Sequence, residues 1–133
     1  MATVLDIVSR SLRILGVLDV NQSVKAGDLA SSIVALNGMM RRWEADGTAM
    51  GWATVESGKE TLPAPDEAHD AIVYNLALRL RSEYRVSLDP DVVAFARDGL
   101  AALQRDRLVE MPIEQSLRLP GHGYYNFYTD EFK

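Results

Sequence analysis

Apolar residues recur at helical spacing along most of this chain. Val4, Val8, Leu12 and Leu15 form one stripe, widened by Ile7 and Ile14, and the spacing predicts a short first helix. Thr3 with Asp6 three positions on reads as a capping box, and Gly16 is a natural C-terminal stop. Arg10 and Arg13 are left to face water or a neighbour. Residues 17–24 read as a connection, with turn chemistry from Asn21, Gln22 and Ser23. A second helix is predicted from about Lys25 to Asp46, closed by Gly47. Its seam, Leu29, Ile33, Leu36, Met40 and Trp43, alternates spacings of four and three. Gly38 lies inside it at a cost of about 1 kcal/mol against alanine, which the helix either tolerates or needs for the close approach of another helix. A third helix is expected from an Asp66 N-cap to about Val86, with Ala68, Ile72, Leu76 and Leu80 in line and Ala71, Tyr74 and Leu78 beside them. Asp89-Pro90 announces a fourth. Val93, Ala96, Leu100, Leu103 and Leu108 carry it to about Met111, before Pro112.

Two stretches break the helical period. In residues 48–65, Trp52, Thr54 and Glu56 alternate with Ala53 and Val55, Ser57-Gly58 is a turn pair, and Lys59 to Leu62 can return. This predicts a β-hairpin over 52–62, closed by Pro63 and Pro65. An isolated hairpin is marginal alone, so it should pack on the helices or on another subunit. From 112 onward nothing is periodic. The expected fold is therefore mainly α: a small four-helix bundle with an inserted hairpin, residues 1–111, followed by an extended C-terminal arm, residues 112–133.

The arm is the unusual part. Tyr124, Tyr125, Phe127, Tyr128 and Phe132, half of the ten aromatic residues, fall in the last ten positions, after the break Pro120-Gly-His-Gly123. Chain ends are normally polar, and five rings exposed together would make the kind of apolar patch that marks an interaction site. Pro120, Gly121 and Gly123 suit a hinge, since glycine meets little steric resistance in unusual conformations. Laid along a partner, the arm can pair with sheet edges or drop rings into pockets.

Composition narrows the classes. At 133 residues, 47% apolar and 25% charged, the chain is long enough for a core without staples. It has no cysteine, hence no disulfide framework and no thiolate chemistry. No apolar run approaches the roughly 18 residues of a membrane span, and the start lacks a basic leader, so a protein that is cytosolic where it is made, without membrane contact, is expected. A net charge of −5 argues against a general phosphate-backbone binder, while Arg79, Arg81 and Arg85 leave room for a local basic patch.

Candidate catalytic residues are thin. His69 and His122 lack partners at metal-ligand spacing, and no Gly-x-Ser-x-Gly elbow offers a nucleophile. Among nineteen carboxylates, Glu44 with Asp46 or Glu67 with Asp70 can be paired on paper. Acid–base work needs a fixed separation across a cleft and one raised pKa. Arg41, Arg42 and Glu44 flank Trp43 and read either as a charged line between subunits or as a solvated face, with the Trp43 ring inward. No enzyme activity, cofactor or metal is expected.

The helices carry a resemblance. The first reads Asp6-Ile-Val-Ser-Arg-Ser-Leu-Arg-Ile-Leu-Gly-Val17, and the second ends Leu36-Asn-Gly-Met-Met-Arg-Arg-Trp-Glu-Ala-Asp-Gly47. With the following segment, two further helices and an aromatic arm, the chain resembles the head-to-tail adaptor, or head-completion, proteins of tailed bacteriophages, most like those of short-tailed phages. The likeness covers about residues 3–111 in order and spacing. It implies a ring, usually twelve-fold, of copies beneath the portal protein at the head-tail junction of the virion. Such rings attach after packaging, extend the DNA channel and present a surface to a downstream tail protein. It also implies an arm reaching along the portal, and genomic DNA passing without specific binding. The seam Leu29, Ile33, Leu36, Met40 and Trp43 then serves the core or a subunit contact. A different class of reading is a DNA-binding packaging module using Arg79, Arg81 and Arg85, diluted by Glu83; a cell-wall hydrolase is a third.

Overall fold

Four helices follow one another in the described part of the chain: α1, Val4–Leu15; α2, Ala26–Ala45; α3, His69–Tyr84; and α4, Pro90–Glu110. A single 3₁₀ turn, Asp66–Ala68, leads into α3. The structure is a computed structural model, and it describes residues 2–48, 50–87, 89–110, 125–126 and 131–132.

The capping box on α1 is complete. The Thr3 N–H and hydroxyl both donate to Asp6 Oδ2 at 2.9 Å, and the Asp6 N–H donates to Thr3 Oγ1 at 3.3 Å. These bonds, the backbone one first, hold the exposed Asp6 carboxyl below its usual range. Gly16 closes the helix in the left-handed region, φ 77°, as its C-terminal position favours. Asp66, by contrast, does not cap: its side chain makes no capping bond, and Pro65 precedes the turn.

The third helix is the centre of the fold. Ala71, Ile72, Val73, Leu76, Ala77 and Leu80 are buried around most of its circumference, the pattern of a helix covered on several sides. It packs against α1, α2 and α4, while α4 packs chiefly on α3. Two close contacts set these approaches. Ser11 Oγ on α1 sends its proton to the Ile7 carbonyl at 2.9 Å, with the Val73 carbonyl of α3 3.1 Å away. Asn75 Nδ2 on α3 donates to the Ala71 carbonyl of its own helix (2.7 Å) and to the Ala96 carbonyl of α4 (2.9 Å). Beside it Gly99 of α4 lies against Ala71, where a Cβ would come within 3.0 Å of the alanine methyl. Close helix approach is thus the property of Gly99. Around Gly38 nothing among the described residues lies within 4 Å of an added Cβ, so of the two explanations for it close helix approach does not apply and tolerance is left.

The hairpin expected over 52–62 is not formed. Residues 50–62 carry no regular secondary structure beyond a turn at Gly58–Lys59 and a single bridge at Thr61, and their backbone groups pair elsewhere. On the first limb, Asn37 of α2 takes both polar groups of Val55, and Glu44 Oε1 accepts the Trp52 N–H at 2.9 Å. On the second limb, the Glu60 and Gly58 carbonyls accept the Val4 and Leu5 N–H groups, Leu62 N–H donates to the Ala2 carbonyl, and Thr61 bridges Thr3. The second limb therefore satisfies first-turn donors of α1 that a helix start leaves open. Inward positions are Trp52, Val55, Gly58 and Leu62, near every third residue. A half-buried strand would bury every second one.

Candidate functional site

Of the residues assigned to the arm, Tyr124, Phe127 and Tyr128, with Pro120, Gly121 and Gly123 of the hinge, lie outside the described residues, as does His122. Two pairs of arm residues are described. Strand β1, Tyr125–Asn126, pairs antiparallel with β2, Glu131–Phe132, setting Tyr125 opposite Phe132 and Asn126 opposite Glu131.

The seam residues Ile33, Leu36, Met40 and Trp43 are buried in the chain's own core, and Leu29 packs half-buried against it. The charges beside Trp43 make contacts within the chain. Arg41 Nη2 donates to Thr54 Oγ1 at 3.0 Å, Arg42 pairs with Asp46 at 3.3 Å, and Glu44 holds Trp52. Two of the three thus tie residues 52–54 to α2.

Three of the four carboxylates paired on paper for acid–base chemistry are engaged in ordinary contacts. Glu44 holds a backbone N–H, Asp46 holds Arg42, and Asp70 meets Arg10 at 2.9 Å on the surface. His69 Nε2 is buried with Asp66 Oδ1 at 3.7 Å, too far for a hydrogen bond. Among the described residues no group of three or more His, Asp or Glu side chains is placed to hold a metal ion, and no helix is long and apolar enough to cross a membrane.

What remains is surface. A cleft of about 430 Å³ runs between the end of α2, α3 and α4, lined by Trp43, Asn75, Leu78, Arg79, Leu100 and Gln104 among others. A hollow of about 560 Å³ opens at the end of α3 between Leu78, Arg81, Ser82, Arg85, Val86 and Ser87. Phe95 on α4 is 54% exposed; its ring leans on Tyr74 at 5.4 Å and 43°. Val34 on α2 is 73% exposed. Asn37, Phe95 and the backbone of Arg85 escape a reading by periodicity. Asn37 sits in an apolar run that says nothing of its partner. Phe95 lies one position off the α4 stripe. Arg85 adopts φ 52°, a left-handed conformation that favours glycine.

Comparison with known proteins gives one family. A family model described as P22 tail accessory factor matches residues 1–131. No curated protein matches the chain.

Proposed function

The chain belongs to the P22 tail accessory factor family, and we propose on that footing that it forms a ring beneath the portal, seals the filled head and connects it to the tail. Membership makes it a phage tail accessory protein, a structural component associated with the virion. The ring, the portal and the seal are the reading offered here. The observation that carries it is the span of the family match, which takes in the helical domain and the aromatic segment after α4 as one unit. A helical body that ends in a segment holding five of the chain's ten aromatic residues has the parts of a connector: a scaffold to pack beside its neighbours and an arm to anchor in another protein.

The role asks for no catalysis, and the reading assigns none. Copies of the chain neighbour one another, the arm residues Tyr124, Tyr125, Phe127, Tyr128 and Phe132 meet the portal, and a further tail protein docks below. A net charge of −5 suits a conduit through which DNA must slide, because phosphate attraction would hold it back; a strongly basic channel face would contradict this. The experiment is to titrate the purified protein onto isolated portal and weigh the particles by mass photometry. Saturation at a fixed number of copies per portal is expected. Absence of binding at micromolar concentration would overturn the reading.

A further inference from the structure

We propose that the basic hollow at the C-terminal end of α3, built by Arg81 and Arg85, receives the acidic start of α3, Asp66 and Glu67, from the next copy of this chain. The proposal rests on the ring reading above and assigns the ring its lateral contact.

Arg81 and Arg85 stand one helical turn apart and line the same hollow, with Ser87 as a further polar group, Ser82, whose hydroxyl donates to the Arg79 carbonyl, beside it, and Leu78 and Val86 as apolar lining. The ion pairs among the described residues are Arg10–Asp70, Arg42–Asp46 and the His69–Asp66 approach, so neither arginine is neutralised within the described chain. The negative end of a helix accounts for one cation in its last turn, and Arg81 fills that role. It does not account for Arg85, which sits past the helix in a left-handed conformation that glycine would hold without strain. A strained non-glycine residue beside a concave surface points to a use for its side chain.

The geometry favours carboxylates over phosphates as the occupant. A phosphate backbone asks for a basic face running along several residues, and here Glu83 interrupts the cluster on a chain of net charge −5. A discrete hollow with two arginines matches two side-chain carboxylates, which arginine meets with its planar fork. The chain presents such a pair. Asp66 and Glu67 are exposed at the opposite end of α3, the Asp66 side chain by 82%, and among the described residues the Asp66 carboxylate approaches no lysine or arginine, only His69 at 3.7 Å. The helix and its leading turn are thus acidic at one end and basic at the other, roughly 28 Å apart at the rise of an α-helix. Two unlike, complementary patches give a heterologous contact, the kind that repeats head to tail and closes a ring where the rotation between copies closes. A single self-complementary patch would stop at a pair.

The test uses portal loading by the full chain. R81E/R85E should weaken loading about tenfold, D66R/E67R should do the same, and the fourfold variant carrying both reversals should recover it, since the charges match again across the contact. R85G should raise the melting temperature by releasing the backbone and still weaken loading, which separates the side chain's use from its structural cost. Because the chain has no cysteine, E67C/S82C places thiols too far apart to join within one copy. Oxidation of the loaded ring should then give a covalent ladder. Wild-type loading by R81E/R85E without a ladder from E67C/S82C would overturn the contact while leaving the ring reading intact. Failure of the wild-type protein to load would overturn both. Duplex DNA retained by the wild type at low salt and released by R81E/R85E would assign the hollow to nucleic acid and overturn the proposal.

Discussion

Asn37 holds both polar groups of the Val55 backbone: its Nδ2 donates to the Val55 carbonyl at 2.8 Å, and its Oδ1 accepts the Val55 N–H at 3.1 Å. The same oxygen accepts the Trp52 indole N–H at 3.2 Å. One side-chain amide on α2 therefore supplies what a neighbouring strand would have supplied, and both Asn37 and Val55 are buried. Asn37→Ala leaves these groups without partners. Each orphaned buried group costs about 1–3 kcal/mol, so a loss of about 3 kcal/mol is expected from urea unfolding. Limited proteolysis should then cut first within residues 50–62. Asn37→Asp should also destabilise, because a carboxylate cannot donate to the Val55 carbonyl.

Gly99 and Gly38 should respond in opposite directions to alanine. At Gly99 the new methyl meets the Ala71 Cβ at 3.0 Å and its Cα at 3.1 Å, so the α3–α4 spacing must open. Overpacking of this kind costs about 1–3 kcal/mol, and the better helix propensity of alanine returns about 1 kcal/mol. A net loss of up to about 2 kcal/mol is expected. At Gly38 the methyl enters open space, so Gly38→Ala should gain about 1 kcal/mol. Paired thermal melts check both.

Tyr84 gives the fold an alkaline limit. Its hydroxyl donates to Asp28 Oδ1 at 2.9 Å, joining the end of α3 to the start of α2. Burial, then that bond and the nearby charges of Asp28 and Glu83, push its pKa up to about 12 from 10.0. The folded state thus keeps a proton that the unfolded chain releases. The stabilisation is whole below pH 10 and is lost as pH rises through about 12. A fall of about 2 kcal/mol across that window is expected for the wild type relative to Tyr84→Phe, which has no proton to lose there. At neutral pH the phenylalanine variant should be about 1–2 kcal/mol weaker, since Asp28 loses its donor. Urea midpoints measured for both proteins from pH 8 to 12 check the sign.

The four helices are legible because each carries its apolar residues at helical period between clear stops. Thr3 with Asp6, Gly16, Gly47 and Pro90 mark ends that the structure keeps within a residue or two. The segment 50–62 is not legible in the same way. Its alternation is that of a strand, and its Ser57-Gly58 turn is real, yet the partners of its backbone are a side chain eighteen residues upstream and the start of α1. Only the tertiary arrangement brings those donors and acceptors within reach. The surface properties divide likewise. The aromatic cluster of the arm is plain in composition, whereas the strained backbone of Arg85 and the hollow it shares with Arg81 depend on how α3 ends.

The central claim is that the aromatic arm anchors this protein to the portal. Its most direct test is mass photometry of isolated portal mixed with either the full chain or a chain ending at Met111, just past the end of α4. Circular dichroism serves as the control that the shortened chain keeps its helices. The account predicts saturable loading by the full chain and loss of loading by the folded, shortened one. Equal loading by both forms would contradict it.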